Sequence, residues 1–174
     1  MSVELRRADR SDAEFLLELV TGEETREFLG RAPATMEEVV ADIERSEREP
    51  EAFGWLVAEA DGERVGSASY RVVNERHRIV EGGRLAVDPR FRGRRLGDEV
   101  ARAFQRLVLG ELGFHRLEIQ IYGFNERAVA HAERVGYVRE GVKRKAYEKF
   151  GEWQDAVLFS MLQDELPSGR PSSG

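Results

Sequence analysis

The residues best suited to chemistry lie in the segment RLAVDPRFRGRRLG, which spans residues 84–97. A predicted strand ends there at Pro89, a loop rich in Gly and Arg follows, and a predicted helix begins near Leu96. The N–H groups and the dipole at a helix start attract anions, and Gly93 and Gly97 let the main chain approach a phosphate closely. Four guanidinium groups add positive charge: Arg90, Arg92, Arg94 and Arg95. The segment predicts a site for a di- or triphosphorylated ligand; a solvated basic loop is the alternative.

Composition narrows the class of protein. The chain has 174 residues, of which 41% are hydrophobic and 34% charged, which suits one domain with a buried core. Its formal net charge of −6 argues against nucleic acid as a partner, because a phosphate backbone binds a basic surface. The absence of cysteine excludes a thiol nucleophile, and three widely spaced histidines predict no metal site. Neither a signal segment nor the ~20 apolar residues of a membrane helix are visible, so we expect a cytoplasmic protein.

Hydrophobic periodicity predicts an ordered series of strands and helices. Apolar and alternating runs predict seven strands, at residues 3–8, 53–60, 64–73, 78–88, 117–121, 137–147 and 153–162. Apolar stripes at helical spacing predict four helices, which begin after Ser11, after Thr35, near Leu96 and after Asn125. Asp61-Gly62 is typical of a hairpin turn. The order predicts one mixed α/β domain over residues 1–166, largely antiparallel in its first half, and a disordered tail over 167–174.

Local signals refine this outline. Two helix starts have the capping-box pattern of Ser or Thr followed three residues later by Glu: Ser11 with Glu14, and Thr35 with Glu38. Asn125 is suited to cap the last helix. Gly82 and Gly83 interrupt the fourth strand, which indicates a bulge or, alternatively, a loop end. Four further side chains are predicted to be structural or in the core: Arg84, His115, Trp55 and Trp153.

Two blocks of sequence resemble a known family. The segment RGRRLG at residues 92–97 resembles the acyl-CoA-binding motif [QR]-x-x-G-x-[GA] of the GCN5-related N-acetyltransferase (GNAT) family, although Arg95 stands where the family usually has glycine. The preceding LAVDP resembles the family's fourth strand, whose backbone pairs with the pantetheine arm. Downstream, residues 125–137 resemble the family's N-x-x-A/S…E-K-x-G-F block. The resemblance implies these cofactor-binding residues: Leu85, Ala86, Val87, Arg92, Gly93, Arg94, Arg95, Leu96, Gly97 and Asn125.

The resemblance also implies a fold and a branch of the family. Residues 137–141, 151–155 and 158–165 are similar to the branch that contains ribosomal-protein N-terminal acetyltransferases. The implied fold is of the α+β type. It has a mostly antiparallel sheet of seven strands, about four flanking helices, and a splay between strands 4 and 5 that admits the cofactor.

The implied activity is transfer of an acetyl group from acetyl-CoA to an amine, by direct attack in a ternary complex without a metal. Val87 N–H is the expected oxyanion donor, and Glu81 is the first candidate for the general base. Tyr122 and Tyr147 are expected to line the acceptor cleft; for these and for Glu81 a purely structural role is the alternative. Ala132 stands where many family members have a tyrosine as general acid.

The acceptor is left open by the sequence. A peptide N-terminus is suggested by the branch, and a small amine such as an amino sugar, polyamine or antibiotic is an alternative. A non-catalytic acetyl-CoA-binding or partner-binding module of the same fold is the alternative from another class. A homodimer is a further expectation.

Overall fold

The computed structural model describes residues 2–168, so that residues 169–174 of the predicted disordered tail lie outside the described part. The strands are β1 (Val3–Arg7), β2 (Phe53–Ala60), β3 (Glu63–Asn74), β4 (Ile79–Val87), β5 (Arg116–Tyr122), β6 (Val138–Lys149) and β7 (Glu152–Leu162). The helices are α1 (Ala13–Thr21), α2 (Glu23–Arg26), α3 (Met36–Arg48), α4 (Leu96–Gln105) and α5 (Glu126–Arg134). The predicted fold class is confirmed, with the single-turn α2 added to the four predicted helices.

The seven strands form one sheet in the order β1-β2-β3-β4-β5-β7-β6. Neighbouring strands are antiparallel except β4 and β5, which run parallel. That pair is in register only from Ile79 opposite Arg116 to Glu81 opposite Glu118. Beyond these three pairs the two strands diverge, as the predicted splay requires, and the unpaired edges of both strands face a gap.

Helices cover the two faces of the sheet. On one face, α1 and α3 enclose Trp55, which is fully buried as predicted, together with Val57 of the same strand. On the other face, α4 and α5 pack over a core that contains Leu56, Phe104 and Leu117. Successive residues of β2 therefore point to opposite cores, which follows from the period-two alternation of a strand.

Trp153 contradicts the prediction that it belongs to the core, because its exposed fraction is 64%. It lies in the β6–β7 hairpin, opposite Glu148. Most of β6 and the start of β7 are exposed, so that apolar residues in this hairpin have no helix layer to bury them. Sequence alternation identifies a strand but does not show whether another layer covers it.

One of the two predicted capping boxes is wrong. Thr35 and Glu38 form the predicted box at the start of α3. At the first helix the box is formed by Asp9 and Asp12 instead of Ser11 and Glu14, and a short 3-10 turn precedes α1. The buried Asp12 carboxylate also forms ion pairs with Arg6 and Arg64, which tie the start of α1 to the sheet.

Among residues 2–168, no helix is long and apolar enough to cross a membrane. The same residues contain no group of three or more His, Cys, Asp or Glu side chains arranged to hold a metal ion.

Candidate active site

A cleft of about 1760 Å³ opens where β4 and β5 diverge, between the starts of α4 and α5 and the segment that joins α1 to α3. Twelve of the thirteen residues predicted for the site line this cleft: Glu81, Leu85, Ala86, Val87, Arg92, Gly93, Arg95, Leu96, Gly97, Tyr122, Asn125 and Tyr147. Arg94 does not line it; its guanidinium lies 5.7 Å from the centre of the Phe91 ring. The tertiary structure thus gathers residues from five separate elements, while their individual roles stay predictions.

The loop before α4 has the backbone geometry of an anion site. Gly93 has φ +81°, and nothing lies within 4 Å of the position that a Cβ would occupy there. Arg95, the N-cap residue of α4, adopts the left-handed conformation with φ 56° and ψ 19°. A glycine would adopt this conformation with little strain, which explains why the resembling family usually has glycine here. The arginine therefore keeps the loop shape and adds a positive charge at the helix N-terminus.

Two of the loop's four arginines are held by carboxylates. The guanidinium of Arg90 donates to Asp88 at 2.7 Å, and this hydrogen bond lowers the pKa of the Asp88 carboxyl. Arg92 forms an ion pair with Glu24 of α2 across the cleft. Arg95 has no ion-pair partner among the described residues and lines the cleft directly. That the four guanidinium groups favour a phosphorylated ligand stays a prediction.

The backbone of β4 presents Val87 N–H to the gap. Asp88 N–H donates to Val65 O of β3 at 2.8 Å, and Val87 lies opposite Gly66. Because successive N–H groups of a strand point to opposite edges, Val87 N–H points away from β3 and toward the side on which β5 has separated. A donor in this position can polarise a carbonyl oxygen that enters the gap.

An irregularity in β4 follows directly after the two predicted glycines. The register with β3 shifts between Ser67 and Ser69, and Arg84, with φ 48°, lies in the shifted stretch. Gly82 is needed for packing, since a Cβ there would lie 2.9 Å from the Phe104 ring of α4. The bulge is thus at Arg84, one residue beyond the glycines that predicted it.

Arg84 has the structural role that the sequence predicted. Its guanidinium lies 4.5 Å from the centre of the Trp55 ring and donates to Asp42 of α3 at 2.7 Å. Burial lowers the pKa of Arg84. The side chain therefore ties the bulge of β4 to the α1–α3 face of the sheet.

Glu81 belongs to a hydrogen-bonded chain that the sequence did not reveal. Its Oε2 accepts from Gln120 Nε2 at 2.9 Å, and its Oε1 accepts from Arg71 at 2.9 Å. Gln120 Oε1 in turn accepts from the Tyr147 hydroxyl at 2.6 Å. The only signal for Gln120 was its polarity between Ile119 and Ile121, which shows that it faces away from their side of β5. The side-chain amide of Gln120 therefore links Glu81 to Tyr147, and both of these are predicted site residues.

Tyr122, the last residue of β5, stacks on Phe124 with ring centres 5.1 Å apart and planes 13° apart. It also makes an edge contact with Tyr147 at 6.4 Å between ring centres. Burial raises the pKa of the Tyr122 hydroxyl above its ordinary value. The two predicted tyrosines therefore do lie together at one end of the cleft.

His131 of α5 is a second residue of the cleft that the sequence did not indicate, and it faces the first turn of α4. His131 Nε2 lies 3.2 Å from Asp98 Oδ1, and a Cβ on Gly97 would be 3.7 Å from the same nitrogen. A hydrogen bond from Arg134 lowers the pKa of Asp98. Burial lowers the pKa of His131, which outweighs the opposite effect of the Asp98 carboxylate. The imidazole and its partners thus connect α5 to the first turn of α4.

Asn125 caps α5 as predicted, because its side-chain oxygen accepts from Ala128 N–H at 3.2 Å, and it also lines the cleft. Ala132 is 2% exposed and packs in the core with Phe104 and Leu117. A methyl group cannot donate a proton, so the position offers no general acid.

These features define a class of protein. A sequence model of the acetyltransferase (GNAT) domain matches residues 2–138, and the chain therefore belongs to this family. It is an acyl-CoA-dependent N-acetyltransferase with acetyl-CoA as its co-substrate. The anion-binding loop before α4 and the gap between β4 and β5 are the parts of the structure that fit such a co-substrate.

Relatives are distant in sequence but alike in fold. The chain is 21% identical over 173 residues to spermidine N(1)-acetyltransferase of Escherichia coli (strain K12), which covers 99% of this chain and 92% of the relative. It is 25% identical over 118 residues to an uncharacterized, SPbeta prophage-derived N-acetyltransferase of Bacillus subtilis, which covers 68% of this chain and 66% of the relative. The spermidine N-acetyltransferase of Vibrio cholerae, solved with CoA and spermine, superimposes with a TM-score of 0.84 at 20% identity, over 95% of this chain and 98% of that one.

Proposed function

We propose that the protein transfers the acetyl group of acetyl-CoA to a primary amine bound in the gap between β4 and β5. The observation that carries this proposal is the position of Val87 N–H, which faces the gap from one strand while Glu81 and Gln120 meet across its narrow end. A polarising donor and a carboxylate on the strand that borders one opening suit attack of an amine on a carbonyl.

The residues present fit acetyl-CoA. The open backbone around Gly93, the start of α4 and the positive charge of Arg95 suit the pyrophosphate. The gap-facing edge of β4 suits the amide groups of the pantetheine arm, and Asn125 lies on the opposite wall of the cleft. The co-substrate supplies the acetyl group as a thioester; the protein supplies position, polarisation and a path for one proton.

The proposed reaction balances without a metal or a covalent enzyme intermediate. A C–N bond forms between the amine nitrogen and the acetyl carbon as the thioester C–S bond breaks. One amine proton passes to Glu81 through water molecules in the cleft. The CoA thiolate accepts a proton from solvent, since Ala132 offers none. A thiol of pKa about 8.5 is a tolerable leaving group near neutral pH, so an acid on the protein is not required.

The acceptor is proposed to be a small amine in preference to a peptide N-terminus. Relatives named as spermidine N-acetyltransferases support a small amine. The likeness to ribosomal-protein N-terminal acetyltransferases stays a prediction from the sequence, as do the homodimer and the cytoplasmic location.

The decisive experiment replaces the proposed oxyanion donor alone. Val87→Pro removes the N–H that faces the gap and leaves the bonds of Asp88 N–H and the strand conformation in place. We expect turnover, followed as CoA thiol release with a panel of amines, to fall about 10²- to 10³-fold. Calorimetric binding of acetyl-CoA should persist.

Val87→Ala is the matched control, because it trims the side chain and keeps the N–H. It should retain turnover within a few-fold. Equal loss of turnover in both variants would show that the side chain matters and the donor does not. Acetyl-CoA binding without thiol release for any amine would instead identify a binding module.

A further inference from the structure

On the β5 side of the cleft lies a group of aromatic side chains, called here the aromatic wall: Phe28, Tyr122, Phe124, Tyr147 and Phe150. Phe124 lies at its centre, with ring-centre distances of 5.1 Å to Tyr122, 5.5 Å to Phe150 and 6.3 Å to Phe28. All but Phe150 line the cleft itself. The wall is assembled from three elements that are far apart in sequence.

The wall is exposed where it meets the cleft. Phe124 is 38% exposed and Phe28 is 44% exposed. Adjacent aromatic rings left open to water form a contiguous apolar surface, which is a mark of a binding site. Offset and edge contacts between rings would extend to a further ring placed on Phe124.

The charges of the cleft are balanced. Among the described residues, eight carboxylates and eight guanidinium groups line it. Four of each are paired with one another: Arg71 with Glu81, Arg84 with Asp42, Arg92 with Glu24 and Arg134 with Asp98. These four carboxylates are neutralised by their partners and are therefore not free to bind a ligand with several positive charges.

A fixed cation already lies on the wall. Lys149 Nζ is 5.7 Å from the ring centre of Tyr122 and 5.8 Å from that of Phe150. The ammonium donates to Arg26 O at 3.0 Å and Leu29 O at 3.5 Å, which holds it in place. Because Lys149 occupies the cation–π position on these rings, a second ammonium placed there would be repelled.

We propose that the acceptor is a primary monoamine carried on an aromatic body. The inference rests on the proposed function and adds the class of acceptor to it. The amino group lies in the gap between Val87 N–H and Glu81, and the aromatic body packs on Phe124. The hydrogen-bonded chain from Glu81 through Gln120 to Tyr147 joins these two places. The acceptor carries one positive charge, which is lost when its nitrogen is acetylated.

The test compares kcat/KM for 2-phenylethylamine, propylamine, spermidine and an alanyl peptide, at saturating acetyl-CoA. We expect 2-phenylethylamine to exceed each of the others by tenfold or more, since one additional aromatic contact is worth about that factor. A higher kcat/KM for spermidine or for the peptide overturns the inference and leaves the proposed transfer to an amine intact. Thiol release with none of the four amines overturns both.

Two variants tie the preference to the wall. Phe124→Ala should lower kcat/KM for 2-phenylethylamine about tenfold and leave that for propylamine within twofold, with the KM of acetyl-CoA unchanged. Trp153→Ala is the matched control, because Trp153 is an exposed aromatic residue that does not line the cleft. Equal effects of Phe124→Ala on both amines, or of the two variants on 2-phenylethylamine, would overturn the role of the wall.

Discussion

Arg95→Gly tests the strain that the anion-binding loop stores before α4. Arg95 has φ 56° and its side chain makes no capping hydrogen bond. The left-handed conformation costs a non-glycine residue about 1–2 kcal/mol, and the glycine variant avoids this cost. Glycine loses more conformational entropy on folding, which takes back about 0.5–1 kcal/mol of the stabilisation. Because the side chain is exposed, little packing is lost. The free energy of unfolding should therefore rise by about 0.5–1 kcal/mol in the glycine variant.

Thermal unfolding measures this rise. A chain of this size should gain about 1–4 °C in Tm. Arg95→Ala is the control, because it removes the same guanidinium but keeps a Cβ in the left-handed conformation; its Tm should stay close to that of the parent. Equal Tm shifts in both variants would refute the backbone argument, since the side chain alone would then account for them.

The same two variants separate backbone shape from charge in ligand binding. Both remove the only cleft-lining guanidinium of the loop that has no ion-pair partner among residues 2–168. Calorimetric affinity for acetyl-CoA should therefore fall to a similar extent in both, by about tenfold, the value of one charge-assisted hydrogen bond. An unchanged affinity in both would show that the backbone alone holds the pyrophosphate.

Three further predictions follow from the site and the core. Glu81→Gln should lower turnover more at pH 7 than at pH 9, because at the higher pH the amine sheds its proton unaided; equal losses would exclude a role as base. Burial lowers the pKa of His131 in the folded protein. As pH drops from about 7, the imidazole therefore takes up its proton in the unfolded chain first, and the free energy of unfolding falls until the lowered pKa is passed. Urea unfolding should show this slope, and His131→Gln should flatten it. Gly54→Ala would place a Cβ 2.1 Å from the Tyr70 ring and should reduce the free energy of unfolding by about 1–3 kcal/mol, whereas Gly141→Ala, with nothing within 4 Å, should be near neutral by the same measurement.

Most of the fold could be read from local patterns. Strand alternation and hairpin signals act over a few residues, so that the turn at Asp61-Gly62 was predictable; both of these residues have positive φ. The loop before α4 was equally visible, because its glycines and arginines adjoin in sequence. The exposure of a strand residue such as Trp153 was not predictable, because burial depends on which distant element covers the strand.

The sequence by itself determined the family resemblance, the order of elements and the position of the Gly- and Arg-rich loop before α4, since each depends on neighbours within a few positions. Only the tertiary structure decided that Arg95 takes the left-handed conformation that glycine usually supplies. It also decided that Gln120, 39 positions from Glu81, bonds to its carboxylate. Such contacts arise where two strands separate and other elements close around the gap. No local spacing encodes them, because they join residues whose distance in the chain is unrelated to their distance in space.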